Sequence, residues 1–322
     1  MSAEPASVAV PTGDLLALIV AALARRDDGP REDLERAAFW LLQAELLGHP
    51  RFGLAMLLRE LGDAAEPGTA LPVPTSSSVA ALDAAGVPGL VALARAVGAA
   101  SRTAAETGAG IVGLRDLGAT GVIGCAARSI AAEGRIGLVL AESAPFVAPL
   151  GGTAPVIGTN PIAIAVPREG APPLVLDFAT APTTIAALRG RAERGEALEP
   201  GIAVDAAGAP TVDPSAVAAL LPGGLHASLL GLIVQLLAGV AVGGASTAPR
   251  EGLFAPRGAL VVAFEPPNAQ TARACAELVE RWEQAGGHAP GRLDRLPLTS
   301  DGLPATIDLA PTTLEALRRL SA

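Results

Sequence analysis

The sequence predicts a layered α/β fold, on three observations. Apolar strand-like runs (RIGLVLAES at 135–143, LVLDFAT at 174–180, ALVVAFEP at 259–266) mix with segments of helical period, without strict βαβ alternation. No G-x-G-x-x-G follows an early strand, which argues against a Rossmann dinucleotide site. The stretch Leu140–Pro167, LAESAPFVAPLGGTAPVIGTNPIAIAVP, has Glu142 as its one charge and is dense in Pro and Gly. It cannot be one helix and reads as strand pieces broken by tight loops near the interior. The buried amides of those loops need partners, either a second strand or a bound ligand.

Taken in order, Asp14–Arg26 has helical apolar spacing, with Thr12 or Asp14 able to cap it. DDGP turns the chain, and Pro30 stands near the start of a second helix, Arg31–Leu47, with an acidic first turn. Gly48 and Pro50 break that pattern before another short helix, and Gly62–Ser78, rich in Pro, Ser and Gly, reads as a linker. A strand over Val79–Ala84, an amphipathic helix over Gly89–Gly108, a strand at IVGL and a helix over Val122–Glu133 follow. After LVLDFAT come a charged helix (Thr183–Gly195), a turn-rich loop, a buried helix (Leu229–Val242), the last strand and a long helix (Thr271–Ala285). The tail from Gly286 reads as loop, closing with a short helix from Thr312.

Half of the 322 residues are apolar and 17% charged, enough for a large core. The net charge of -9, with no basic cluster, argues against nucleic acid. All 23 basic residues are arginine, so no lysine can form a Schiff base or complete a phosphate loop. Cys125 and Cys275 lack metal-ligand spacing and read as small buried hydrophobes. MSAEPASVAVPTGD has no basic or apolar leader region, so the expectation is a cytoplasmic chain. Between Ala216 and Arg250 there is no charged residue, yet His226, Ser228, Gln235 and repeated glycines favour a buried helix over a membrane span.

VAPLGGTAPVIGTNPIAIAVP, VLDFAT, GIAVDAAGAPTVDP, LLPGG and GLIVQLLAGVAVGGA occur in an order and spacing that resemble the malate/L-lactate dehydrogenase family. This is the second, non-Rossmann type, which includes ureidoglycolate, sulfolactate and piperideine-carboxylate enzymes. The resemblance covers almost the whole chain, with GTNP and LDFAT its most specific parts. It implies a three-layer α/β fold whose mixed or antiparallel central sheet is flanked by helices. It also implies a discontinuous layout, with residues 1–75 and 245–322 forming a helical substrate and dimerisation domain and 76–244 a cofactor-binding sheet domain. NAD or NADP, a small 2-hydroxy, 2-oxo or cyclic imino acid, and a homodimer are implied with it.

The resemblance also locates the departures. The family's G-x-x-S-H-G segment reads Gly48-His49-Pro50-Arg51-Phe52-Gly53, so Phe52 stands at the proton-transfer position and Arg51 at the serine. Its N-S-x-H-F-G segment reads Gly113-Leu114-Arg115-Asp116-Leu117-Gly118, with aspartate at the histidine position. Asp116 is either an acid/base with a raised pKa or a loop carboxylate paired with Arg115 or a turn amide. His49 is either a replacement acid/base or a helix-end residue. Arg51 could hold a substrate carboxylate bidentately.

GG-H-K-G-Y-G appears as Gly223-Gly224-Leu225-His226-Ala227-Ser228, where His226 could donate to a phosphate or ribose. Asn160 suits either a ligand or a turn brace before Pro161, and Asp177 either a ribose or imidazole or a helix cap. The resemblance thus implies cofactor contacts at Ser143, Asn160, Asp177, Ala179, Thr180, Gly224 and His226. Substrate contacts are implied at Arg51, Thr159 and Asn160. Two functions follow: an oxidoreductase with an altered acid/base set, or a relative that has lost redox chemistry and binds, or reacts differently, in the old pocket.

Overall fold

The computed structural model describes residues 7–63, 79–243 and 257–322. The first part holds β1 (Val8–Pro11), α1 (Thr12–Ala24), α2 (Arg31–Leu46) and α3 (Leu54–Asp63), with a single 3-10 turn, Pro50–Phe52, before α3. The middle holds β2 (Val79–Asp83), α4 (Gly89–Thr107), β3 (Ala109–Leu117), α5 (Ile123–Ala132), β4 (Ile136–Ala141), β5 (Pro161–Val166), β6 (Leu174–Ala179) and α6 (Ile185–Arg194). Then come β7 (Ala203–Val204), β8 (Ala219–Leu220) and α7 (Leu225–Val234), which continues as a π-helical turn over Gln235–Val240. The last part holds β9 (Arg257–Phe264), α8 (Gln270–Gln284), β10 (Thr306–Leu309) and α9 (Pro311–Ser321).

Six strands form one sheet in the order β2-β3-β9-β4-β5-β6. β2 and β3 are parallel, joined by the crossover helix α4, and every other neighbouring pair is antiparallel. The expected mixed sheet with flanking helices is therefore what the chain forms. Helix α4 covers β3 and β9, and α5 covers β4, β5 and β6. Outside α4 lie α2, α1 and α9, while α7 and its π turn sit against β4 and β9 through Leu140, Val234 and Ala238. The main core runs continuously from the outer helices to the sheet, through Leu15, Leu41, Leu93, Val139, Val261 and Leu317, all fully buried.

One ion cluster lies inside the helical layer. Arg95 on α4 donates to Asp27 at 2.6 Å and to Asp33 at 3.1 Å, and all three side chains are at most 4% exposed. Burial is the largest influence on Asp33 and raises its carboxyl, against the pull of Arg95.

Several expectations change. The tail hides β10, which pairs antiparallel with β1 and ties the two ends of the chain together; four-residue strands are too short to show a period. The loop amides of the central stretch find the chain itself as partner, the bland alternative. Phe146 and Val147 donate to Ile157, and Ala148 donates to Leu220. The segment expected as a buried helix is helical, but only one stripe of it is covered. Leu229, Leu232, Ile233, Leu236, Leu237 and Val240 are 40–49% exposed. An apolar period shows which residues want burial, not what covers them. β9, grouped by the expectation with the C-terminal helical part, runs in the middle of the sheet. The linker past Asp63 and both expected domain boundaries lie outside the described residues. No helix among the described residues is long and apolar enough to cross a membrane.

Candidate active site

A cavity of about 700 Å³ opens between the Pro50–Phe52 turn, the loop after β3, the ends of β4 and β6, and α6. That size suits an organic ligand with several functional groups. Local sequence explains its walls. Gly48, at φ 73°, ends α2 and allows the chain to turn so that His49 and Phe52 reach the cavity. Helix α6 begins where the Thr184 hydroxyl accepts the Ala187 N–H at 3.1 Å, and it ends at Gly195 in the left-handed conformation.

At one end, His49, Arg292 and Asp177 form a chain. Arg292 Nη1 lies 3.2 Å from His49 Nε2, and Arg292 Nη2 donates to Asp177 Oδ2 at 3.3 Å. A guanidinium can only donate, so Nε2 is the acceptor and the neutral ring carries its proton on Nδ1. Burial, then the Arg292 charge, lower the His49 pKa, and the imidazole is neutral at pH 7. The Asp177 side chain is 10% exposed, and burial raises its carboxyl while Arg292 and the Gly124 N–H at the start of α5 oppose the rise. Only glycine fits at 124, since a Cβ there would lie 2.6 Å from Asp177 Oδ2. The Phe52 ring stands edge-on to His49, with centroids 6.3 Å apart.

The other expected residues divide sharply. Ser143, Thr159, Asp177, Ala179 and Arg51 line the cavity with His49. Ser143 and Thr159 hydroxyls are 3.1 Å apart. Asp116 does not line it. It sits at the irregularity that ends β3, with φ 53°, beside an Arg115 that pairs with Asp83. Asn160 is fully buried, and its amide braces the Ser143 N–H, the Gly231 carbonyl and Gln235, so the bracing alternative is the observed one. Thr180 is buried behind the wall on the Thr159 carbonyl, at 3.2 Å. Gly224 caps α7, and His226 is exposed on its first turn; neither lines the cavity. Arg51 is held by Glu193 of α6.

Sequence reasoning missed the cations. Arg59, Arg189, Arg191, Arg194, Arg257 and Arg292 all face the cavity. Glu142 was noticed only as a lone charge; it accepts from Gln235 at 2.9 Å and from the Gly258 N–H at 3.0 Å, fastening the π turn to the sheet. Nothing in a single arginine marks it as part of a site, and these come from four separate segments.

A family model described as malate/L-lactate dehydrogenase matches residues 10–294. The chain belongs to the malate/L-lactate dehydrogenase family. Among curated relatives, it is 43% identical over 147 residues to Delta(1)-pyrroline-2-carboxylate reductase 1 of Burkholderia ambifaria, a match covering 43% of each chain. It thus spans less than half the length of that relative. It is 32% identical over 250 residues to the (2R)-3-sulfolactate dehydrogenase (NADP(+)) of Chromohalobacter salexigens, covering 74% of this chain and 75% of that one. A solved dehydrogenase from Sinorhizobium meliloti superposes with a TM-score of 0.80 at 30% identity, over 99% of both chains. The matched region contains the GTNP and LDFAT segments, and the cavity takes Thr159 from the first and Asp177 and Ala179 from the second.

Proposed function

We propose that this member of the family is an NAD(P)-dependent oxidoreductase of a small 2-hydroxy, 2-oxo or cyclic imino acid, with His49 as its acid/base. The observation that carries the reading is the Asp177–Arg292–His49 chain inside the cavity. The donor set suits a nicotinamide dinucleotide: guanidiniums for the pyrophosphate, hydroxyls of Ser143 and Thr159, and room of about 700 Å³. When bound, the cofactor exchanges a hydride with the substrate. Arg292 takes the carboxylate next to the reacting carbon, which frees His49 Nε2 for the proton on the substrate oxygen or nitrogen. Asp177 keeps Arg292 aimed at that place, and Phe52 excludes water from the imidazole edge. A neutral imidazole is the base form, so oxidation is the direction favoured near neutral pH.

Phe52 favours a second reading. A phenyl ring at the family's proton-transfer position moves no proton, which suits a member retired from redox chemistry. Titration of the purified chain with reduced nicotinamide separates the two. Neither Trp40 nor Trp282 lines the cavity, so the nicotinamide's own fluorescence is the readout. Binding with turnover on 2-oxo or cyclic imino acids supports the first reading; binding with no turnover across both classes supports the second.

The same reading includes a cytoplasmic homodimer that covers the exposed face of α7 and its π turn. Seven large apolar side chains there, from Leu225 to Val240, are 40–55% exposed, a patch that rarely remains in water. Light scattering of the parent and of a Leu232→Asp, Leu236→Asp variant tests it. A dimer mass that falls to a monomer in the variant supports the interface, and a monomeric parent at micromolar concentration overturns it.

A further inference from the structure

Besides the Asp177–Arg292–His49 chain, the cavity wall gathers three guanidiniums from three separate elements. Arg51 comes from the Pro50–Phe52 turn, Arg59 from α3 and Arg189 from α6. Glu193 pairs with Arg51, and its charge also favours the charged form of Arg189. Arg189 makes no ion pair or hydrogen bond among the described residues, whereas Arg191 and Arg194 beside it are engaged, Arg191 on the Ala197 carbonyl and Arg194 on Glu196. Bringing like charges together at a partly desolvated wall costs free energy unless an anion joins them. Burial and the charges of Arg59 and Arg51 indeed disfavour the charged form of Arg189. Arg59 Nε donates to the Ala55 carbonyl at 3.1 Å, so Arg189 is the fork that opens into the ligand-sized space, with the charges of Arg51 and Arg59 beside it, a setting that suits an oxyanion.

We propose that Arg51, Arg59 and Arg189 form a second oxyanion subsite, which takes a second acidic group carried by the ligand of this cavity. It rests on the cavity being the substrate and cofactor site. Two ligands could carry that group: a dianionic acid, by its distal carboxylate or sulfonate, or a phosphorylated nicotinamide cofactor, by its extra phosphate. Both have the oxygens that a guanidinium cluster grips.

The test compares the parent with Arg189→Ala and, as a milder change, Arg189→Gln, each confirmed folded by circular dichroism and an unshifted melting temperature in ligand-free buffer. The first readout needs no cofactor. Inorganic sulfate should raise the melting temperature of the parent, and both variants should lose most of that shift. The second readout compares KM for a 2-oxo dicarboxylate and a 2-oxo monocarboxylate of equal chain length. The third compares the Kd of NADH and NADPH by fluorescence. Loss of one charge-assisted guanidinium contact predicts a weakening of about ten- to hundredfold for the ligand that uses the subsite, with its counterpart lacking the group changed much less. A selective loss on the diacid assigns the subsite to the substrate, and a selective loss on NADPH assigns it to the cofactor. If sulfate protects parent and variants equally, and neither ratio moves, the subsite does not exist. If sulfate protection is lost but no nicotinamide binds at all, the subsite stands and the oxidoreductase reading fails.

Discussion

The imidazole of His49 meets the guanidinium of Arg292 at 3.2 Å, across 243 residues of chain. The contact makes the two groups interdependent: the cation adds to burial in keeping the ring neutral, and the ring occupies one edge of the fork. Arg292→Ala should therefore let the His49 pKa rise back toward 6.5, because one of the two largest influences lowering it, after burial, is removed. In the oxidation direction, the acid limb of kcat/KM should move to higher pH, while KM for the acid increases. A limb that stays in place would separate Arg292 from the base.

Glu60, on α3, gives a prediction about stability. Its Oε1 accepts the Gly89 and Ala119 N–H groups at 2.9 and 3.0 Å, and its Oε2 is shut off from solvent with no hydrogen-bond partner. Burial pushes this carboxyl from 4.5 up to about 7, against the pull of the two amides and Arg257. The native state thus binds the proton more tightly than the unfolded one. The stability linked to Glu60 is complete below pH 4.5 and falls as the pH rises through 7. Glu60→Gln keeps the acceptor for both amides and cannot ionise. Denaturant unfolding should show the variant gaining on the parent between pH 5 and 8, by about 3 kcal/mol at most. A constant difference across that range would show that Glu60 does not titrate there.

Arg95 predicts a large loss. It is the shared partner of Asp27 and Asp33 in the interior of the helical layer. Arg95→Ala leaves two buried carboxylates without that cation, and a broken buried pair costs roughly 3–5 kcal/mol. Arg95→Met with Asp27→Asn and Asp33→Asn should recover much of it, since an apolar and amide set carries no charge to desolvate. Urea midpoints of the three proteins check both statements.

The fold was legible because its signals are local. RIGLVLAES and LVLDFAT carry their strand identity in a few residues, and the charged helix expected over Thr183–Gly195 forms as α6. Half of the site was legible for the same reason: GTNP and LDFAT point to Thr159 and Asp177, and both line the cavity. What was missed is non-local. Arg292 and Arg59 belong to no motif and become site residues only when the sheet brings distant segments together. Asn160 was ambiguous in sequence because an amide before proline can brace a loop or bind a ligand. Its neighbours Ser143, Gly231 and Gln235 resolve that choice, and they lie 17, 71 and 75 residues away. Asp116 matches a family position by resemblance, yet the local backbone places it outside the cavity.

The central claim is that His49, not Asp116, moves the proton, and the direct measurement is the pH profile of kcat/KM for oxidation in the parent, His49→Ala and Asp116→Asn, with nicotinamide binding measured alongside. All three proteins should bind the cofactor. His49→Ala should lose about a hundred- to ten-thousand-fold in rate and its acid limb with it. Asp116→Asn should stay near the parent and keep a limb below pH 6.5. A parent-like His49→Ala beside a crippled Asp116→Asn would contradict the account and return the proton to the carboxylate at the family's histidine position.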